Sequence, residues 1–186
     1  MPLFLKSLTL KETYRDIPPF KIKFKEGINV IAGENGSGKS TLLDLIMTPK
    51  SKDNESLKEV VCQEESFEYR FVDSEKHNPR IKTEFSKNIR FEISSRFISH
   101  GETMLALITA SEDFKGILLL VDEPESGISL NNQKKVFKTL EKAVGNNCQV
   151  IITTHSYVLI KSVPIIFSMD SKTWVKSEEY LKRVLG

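Results

Sequence analysis

The 186-residue chain has only two cysteines, Cys62 and Cys148, set far apart and without the paired spacing of a metal knuckle. Neither a disulfide framework nor a thiolate metal site is therefore expected to organise it. Long hydrophobic runs are also missing. Stretches such as Ile117–Val121 fall far short of the roughly 18 apolar residues that a bilayer-spanning helix requires. The opening Met1-Pro2-Leu3-Phe4-Leu5-Lys6 lacks the basic run and apolar core of a secretory leader, so a cytoplasmic location is expected. Charge of one sign is scarce too: the net charge is +2, too mild by itself to argue for nucleic acid. What is present is 39% hydrophobic residues, eleven phenylalanines among them, against 28% charged. That balance excludes a disordered chain and, at this length, predicts one domain over residues 1–186.

The hydrophobic pattern changes period along the chain. Phe20, Ile22 and Phe24 alternate with Lys21, Lys23 and Lys25, which predicts a strand with one apolar face. With the Leu3 region before it, this suggests antiparallel strands over residues 1–28, broken at Pro18-Pro19. Asn29–Ala32 reads as a buried strand, followed by a Gly-rich turn and a helix from Lys39 to Met47. Residues 50–96 are charged, with short alternations around Tyr69 and Phe91 that suggest a small inserted lobe of antiparallel strands. A helix is expected over about 102–111. Beyond it, apolar strands at 117–121, 149–153 and 165–169 alternate with helices at about 130–144, 158–162 and 177–185. Strands apolar on both faces that alternate with helices predict an α/β protein with a mostly parallel central sheet flanked by helices.

Gly33-Glu34-Asn35-Gly36-Ser37-Gly38-Lys39-Ser40 matches G-x-x-x-x-G-K-[ST] and stands between a strand and a helix, the context that gives the motif meaning. Such a loop turns its backbone N–H groups onto phosphates. Lys39 is placed to reach the β- and γ-phosphates, Ser40 to ligate Mg²⁺, and Thr41 lies beside it in the nucleotide-binding segment. Asp122 and Glu123 end the 117–121 strand, where ligands of parallel sheets bind. Asp122 suits the Mg²⁺ shell, and Glu123 suits a general base that polarises water. His155, after the 149–153 strand, suits a γ-phosphate contact. Ser99-His100-Gly101-Glu102 precedes a helix pattern and reads either as an N-cap or as a second anion-binding turn. Tyr14 reads either as a base-stacking ring or as core. Lys6, Lys11, Arg15, Lys21, Lys23 and Lys25 form a basic stripe that reads either as a solvated strand face or as a track for nucleic-acid phosphates.

The phosphate loop, the Ser-x-Gly-Glu turn, Val121-Asp122-Glu123-Pro124-Glu125-Ser126-Gly127 and Thr153-Thr154-His155-Ser156 together resemble the ABC-type ATPases. Within these they look most like small stand-alone predicted ATPases related to the OLD, RecF and SMC branch. The resemblance implies a P-loop NTPase fold with ATP and Mg²⁺ as cofactors. It also implies two subunits that sandwich ATP, with Ser99 and Gly101 acting on the γ-phosphate bound by the other copy. The loop Glu125–Ser129 then resembles the D-loop of the dimer interface, and Gln63 is the candidate for the glutamine that ligates the metal. His100 stands where the usual signature has glycine.

On this basis the expected activity is slow ATP hydrolysis in which dimer closure switches a partner, with relatives acting in DNA repair, replication and phage defence beside a nuclease. An ABC-transporter ATP-binding subunit is the alternative, opposed by Ile98-Ser99-His100-Gly101-Glu102 in place of a Leu-Ser-Gly-Gly-Gln-like signature. A nucleotide-binding module without turnover is opposed by Glu123.

Overall fold

The computed structural model describes residues 3–48, 56–63, 68–73, 108–109 and 114–186. Its elements run β1 (Leu5–Leu10), β2 (Phe20–Lys23), β3 (Ile28–Ala32), α1 (Lys39–Met47), β4 (Lys58–Cys62), β5 (Tyr69–Asp73) and β6 (Leu118–Asp122). They continue with α2 (Leu130–Gly145), β7 (Gln149–Thr154), α3 (Tyr157–Lys161), β8 (Ile165–Ser168), β9 (Thr173–Lys176) and α4 (Ser177–Leu185).

Two sheets form. The smaller has the order β2-β1-β4 and is antiparallel throughout. The larger has the order β5-β6-β7-β3-β8-β9 and is parallel except for β9. The central strands are apolar on both faces because each face meets its own core. Val30, Leu119, Val121, Val150 and Ile152 pack among residues of α2, α3 and α4. Ile31, Leu118, Leu120 and Ile151 pack among residues of α1 and the antiparallel sheet. Parallel pairing sets the strand ends level: Ala32 pairs with Thr154, Thr153 with Asp122, and Asp122 with Asp73. The loops after β3, β6 and β7 therefore open along one edge, and β8 joins them through Ala32 and Ser168. Among the described residues no helix is long and apolar enough to cross a membrane.

The α/β class and the mostly parallel sheet stand as the pattern predicted. The described parts of residues 50–96, 56–63 and 68–73, differ. β4 is an edge of the antiparallel sheet, and β5 pairs in parallel with β6 rather than folding into a separate antiparallel lobe. The alternation at Tyr69–Asp73 belongs to an outer strand whose Phe71 and Val72 meet different cores, and it looks the same in sequence whether its neighbour runs parallel or antiparallel. The remainder of the expected lobe lies outside the described residues. β9 is an element the sequence pattern did not reveal: its Trp174 packs edge-on against Phe167, with ring centroids 5.6 Å apart.

Candidate functional site

The loop Gly33–Gly38 joins β3 to α1, and its shape depends on two glycines in the left-handed region, Gly36 (φ 80°) and Gly38 (φ 96°). Gly33 is needed for a different reason: a Cβ there would stand 2.5 Å from Ser37 Oγ and 2.9 Å from Met169 Cβ. No side chain caps the start of α1 and its first turn holds no acidic residue, so the positive end of the helix faces the loop. Lys39 is only 4% exposed; its Nζ donates to the carbonyls of Gly33 (3.2 Å) and Glu34 (3.1 Å). Burial lowers the pKa of this ammonium, and the carboxylates of Glu123, Asp122, Asp170 and Glu125 oppose that shift.

Asp122, at the end of β6, is buried and accepts hydrogen bonds from the hydroxyls of Thr153 and Ser40. Burial raises its pKa, those two hydrogen bonds lower it, and the neighbouring charges of Asp73 and Glu123 raise it further. Glu123 has a left-handed backbone (φ 45°), and its N–H donates to the carbonyl of Thr153 at 3.1 Å. A non-glycine residue in that region carries strain of about 1–3 kcal/mol and persists only where its surroundings fix it. The turn swings the Glu123 side chain back over the loop, where Oε1 lies 3.0 Å from His155 Nε2 and 3.8 Å from Lys39 Nζ.

These residues fit a magnesium–nucleotide. Mg²⁺ takes oxygen ligands, keeps several waters and is held by one or two carboxylates together with phosphates. The Ser40 hydroxyl beside Asp122 supplies that donor set, and among the described residues no larger acidic or histidine cluster competes as an all-protein cage. Ser37 Oγ is buried in the loop with no hydrogen-bond partner among the described residues. When bound, the metal would neutralise charge on the β- and γ-phosphates.

The structure thus brings Lys39, Ser40, Asp122, Glu123 and His155 to one edge, with Glu34, Asn35 and Gly36 exposed in the loop and Thr41 half-buried behind it. Gln63 is a correction. Its N–H donates to Phe4 O (2.8 Å) and its Oε1 accepts from Leu3 N (3.3 Å). The neighbouring Leu5 is bonded to the Gln149 side chain at the start of β7, the edge opposite the phosphate loop. Gln63 closes the antiparallel sheet at that edge, and these bonds tie it to Leu3 and Phe4 rather than to Ser40 or Asp122. Ser99, His100 and Gly101 lie outside the described residues. Tyr14 is half-buried in a bridge to Ile17, with Arg15 over its ring and paired to Asp44. In the basic stripe, Lys6, Lys21 and Lys23 are exposed, whereas Lys25 lies over the Trp174 ring.

Three residues escaped the sequence reading. Asp73 ends β5 directly beside Asp122. Asp170 accepts from Glu34 N (3.1 Å), and Lys172 donates to Ser37 O (3.2 Å), so the turn after β8 grips the phosphate loop from its far side. No local motif marks these positions, because only the strand order β5-β6 and β3-β8 brings them to the site.

A phosphate loop on a parallel strand, with a histidine after the adjoining strand β7 and paired carboxylates at the end of β6 beyond it, defines a P-loop ATPase of the ABC type. Residues 49–161, more than half of the chain, match the family described as "AAA domain, putative AbiEii toxin, Type IV TA system". The chain belongs to that family. No curated protein sequence matches it significantly. Among solved structures it is similar to an inward-facing conformation of "a putative metal-chelate type ABC transporter" (21% identity over 95% of this chain and 85% of that one, TM-score 0.60). It is also similar to the SMC head domain from Thermotoga maritima (20% identity, 89% and 94% covered, TM-score 0.60). A third is cbiO1 from Clostridium perfringens, part of the ABC transporter complex cbiONQ (15% identity, 98% and 92% covered, TM-score 0.61). At these identities the likeness is one of fold.

Proposed function

We propose that the protein binds ATP with Mg²⁺, hydrolyses it slowly in the cytoplasm, and uses closure of two copies around ATP to switch a partner protein. Gly33–Thr41 would wrap the phosphates, Ser40 and Asp122 would hold the metal, Glu123 would take a proton from the attacking water, and His155 would orient it. Ser99 and Gly101 of one copy would face the γ-phosphate held by the other. One observation carries the reading: Glu123 Oε1 lies 3.0 Å from His155 Nε2 and 3.8 Å from Lys39 Nζ, so the proposed base, the orienting histidine and the phosphate-binding lysine form one cluster. The family's description as a toxin of a type IV system supports a setting of the phage-defence kind, with a nuclease or other effector as partner. The transporter-subunit alternative has fold likeness alone in its favour.

Glu123→Gln tests this reading. It should keep ATP binding, stop turnover and convert monomer to dimer when Mg²⁺-ATP is added, as read by mass in solution. A variant that binds ATP and stays monomeric would sink the sandwich reading. Undiminished turnover would remove Glu123 as base.

A further inference from the structure

The turn that presents His155 is held from another strand. Thr154 Oγ1, His155 N–H and Ser156 N–H all donate to a single atom, Glu125 Oε1, at 2.7, 2.6 and 3.0 Å. The grip extends further along the same segment: Ser156 Oγ donates to Gln133 Oε1 (2.6 Å), and Gln133 Nε2 donates to Ile128 O (3.3 Å). Glu125 Oε2, by contrast, is buried with no hydrogen-bond partner among the described residues. A carboxylate buried with one oxygen unpaired destabilises the fold. What offsets that cost is the set of three donors on Oε1, which an apolar side chain would leave unpaired.

The geometry points to a positioning role. We infer that Glu125 is the clasp that makes the His155 turn move as one body with the loop bearing Glu123, and so keeps His155 Nε2 against Glu123 Oε1. Glu125 lies two residues beyond Glu123, and the loop between them is tied by Ser126 N–H to Glu123 O at 3.0 Å. A displacement of residues 124–129 is therefore transmitted to the backbone of Thr154–Ser156 through three hydrogen bonds to one oxygen. Glu125 bonds to no residue of the phosphate loop, and its bearing on Lys39 is through charge alone. The inference rests on the ATPase reading for its kinetic consequences, but not for its structural one.

The test uses the full chain with Glu125→Ala, Glu125→Gln, His155→Ala and the Glu125→Ala/His155→Ala double variant. Misplacing a reacting group by about 1 Å lowers rates by about 100-fold, so Glu125→Ala should lower kcat by roughly 10- to 100-fold. ATP affinity should stay within about twofold, the scatter of non-interacting sites. Added to His155→Ala, the same substitution should lower kcat by no more than about twofold. Glu125→Gln keeps an oxygen for the three donors and should fall between wild type and Glu125→Ala. If Glu125→Ala does not fold, Glu125→Gln decides: wild-type kcat overturns the inference, and so does a loss that adds fully to that of His155→Ala. The His155 ring signals in NMR give a readout that needs no turnover. Glu125→Gln should move them in the same direction as Glu123→Gln, and ring signals that respond to Glu123→Gln alone would overturn the clasp. Absence of turnover in the wild type would sink the ATPase reading and leave this readout standing.

Discussion

Gly38 and Gly36 both lie in the left-handed region of the phosphate loop, yet their surroundings differ, and the difference yields a quantitative test. At Gly38 (φ 96°) an added Cβ would stand 2.3 Å from Ile17 Cδ1 and 2.8 Å from Ile17 Cγ1. Ile17 is 4% exposed and fixed by its two-way backbone bridge to Tyr14, so it has little room to withdraw. At Gly36 (φ 80°) an added Cβ would meet nothing within 4 Å. The backbone penalty for a left-handed alanine is about 1–2 kcal/mol at either position. Overpacking adds about 1–3 kcal/mol at Gly38 alone. Gly38→Ala should therefore destabilise the fold by about 2–5 kcal/mol, a fall in Tm of roughly 4–20 °C at this chain length, and Gly36→Ala by about 2–8 °C. Thermal unfolding followed by circular dichroism without nucleotide measures both free of stabilisation by bound ligand. Ile17→Val removes the colliding Cδ1, so pairing it with Gly38→Ala should restore more stability than two independent effects would give. Equal melting temperatures for the two glycine variants, or strict additivity of Ile17→Val with Gly38→Ala, would refute the steric argument. Gly36→Ala should still weaken ATP binding, because its Cβ faces outward where the backbone approaches phosphate.

Asp122→Asn should raise Tm at pH 8 while abolishing Mg²⁺-dependent ATP binding, because it removes a buried charge and keeps an acceptor for Thr153 Oγ1. Burial raises the pKa of the Asp122 carboxyl in the folded state, so ionisation lowers wild-type stability as pH rises through that value. The advantage of the variant should then vanish below about pH 4, where aspartate is protonated in both states; an advantage that does not change with pH would contradict this. Buried Lys58 donates from Nζ to Leu45 O in the last turn of α1 and, at 2.9 Å, to Thr48 O just past its end. Lys58→Met should leave a carbonyl unsatisfied, cost about 1–3 kcal/mol in unfolding experiments and spare turnover below the melting temperature. An unchanged Tm, or impaired turnover in folded protein, would show that the lysine acts otherwise.

Features made by neighbours in the chain can be read from residue order and spacing. Gly33–Ser40 declares its turn because the glycines, Lys39 and the first turn of α1 interact within a few residues of one another. The double-faced strands 118–122 and 149–154 declare their burial because both of their faces are apolar. Asp122, Glu123 and His155 can be singled out because each stands at or just past the end of such a strand. The tertiary structure alone decided what stands beside these residues. Asp73 reaches Asp122 only through the β5–β6 pairing, and Asp170 and Lys172 reach the phosphate loop only because β8 lies next to β3. Gln63 is a candidate through the family resemblance alone, and the antiparallel register sets it beside Leu3 and Phe4 instead. Glu125 reads in sequence as the start of a loop resembling an interface D-loop; its grip on Thr154–Ser156 exists because parallel pairing sets the ends of β6 and β7 level. Periodicity records which face of a strand is buried. The identity of the neighbouring strand depends on register between segments tens of residues apart, and no local spacing encodes it.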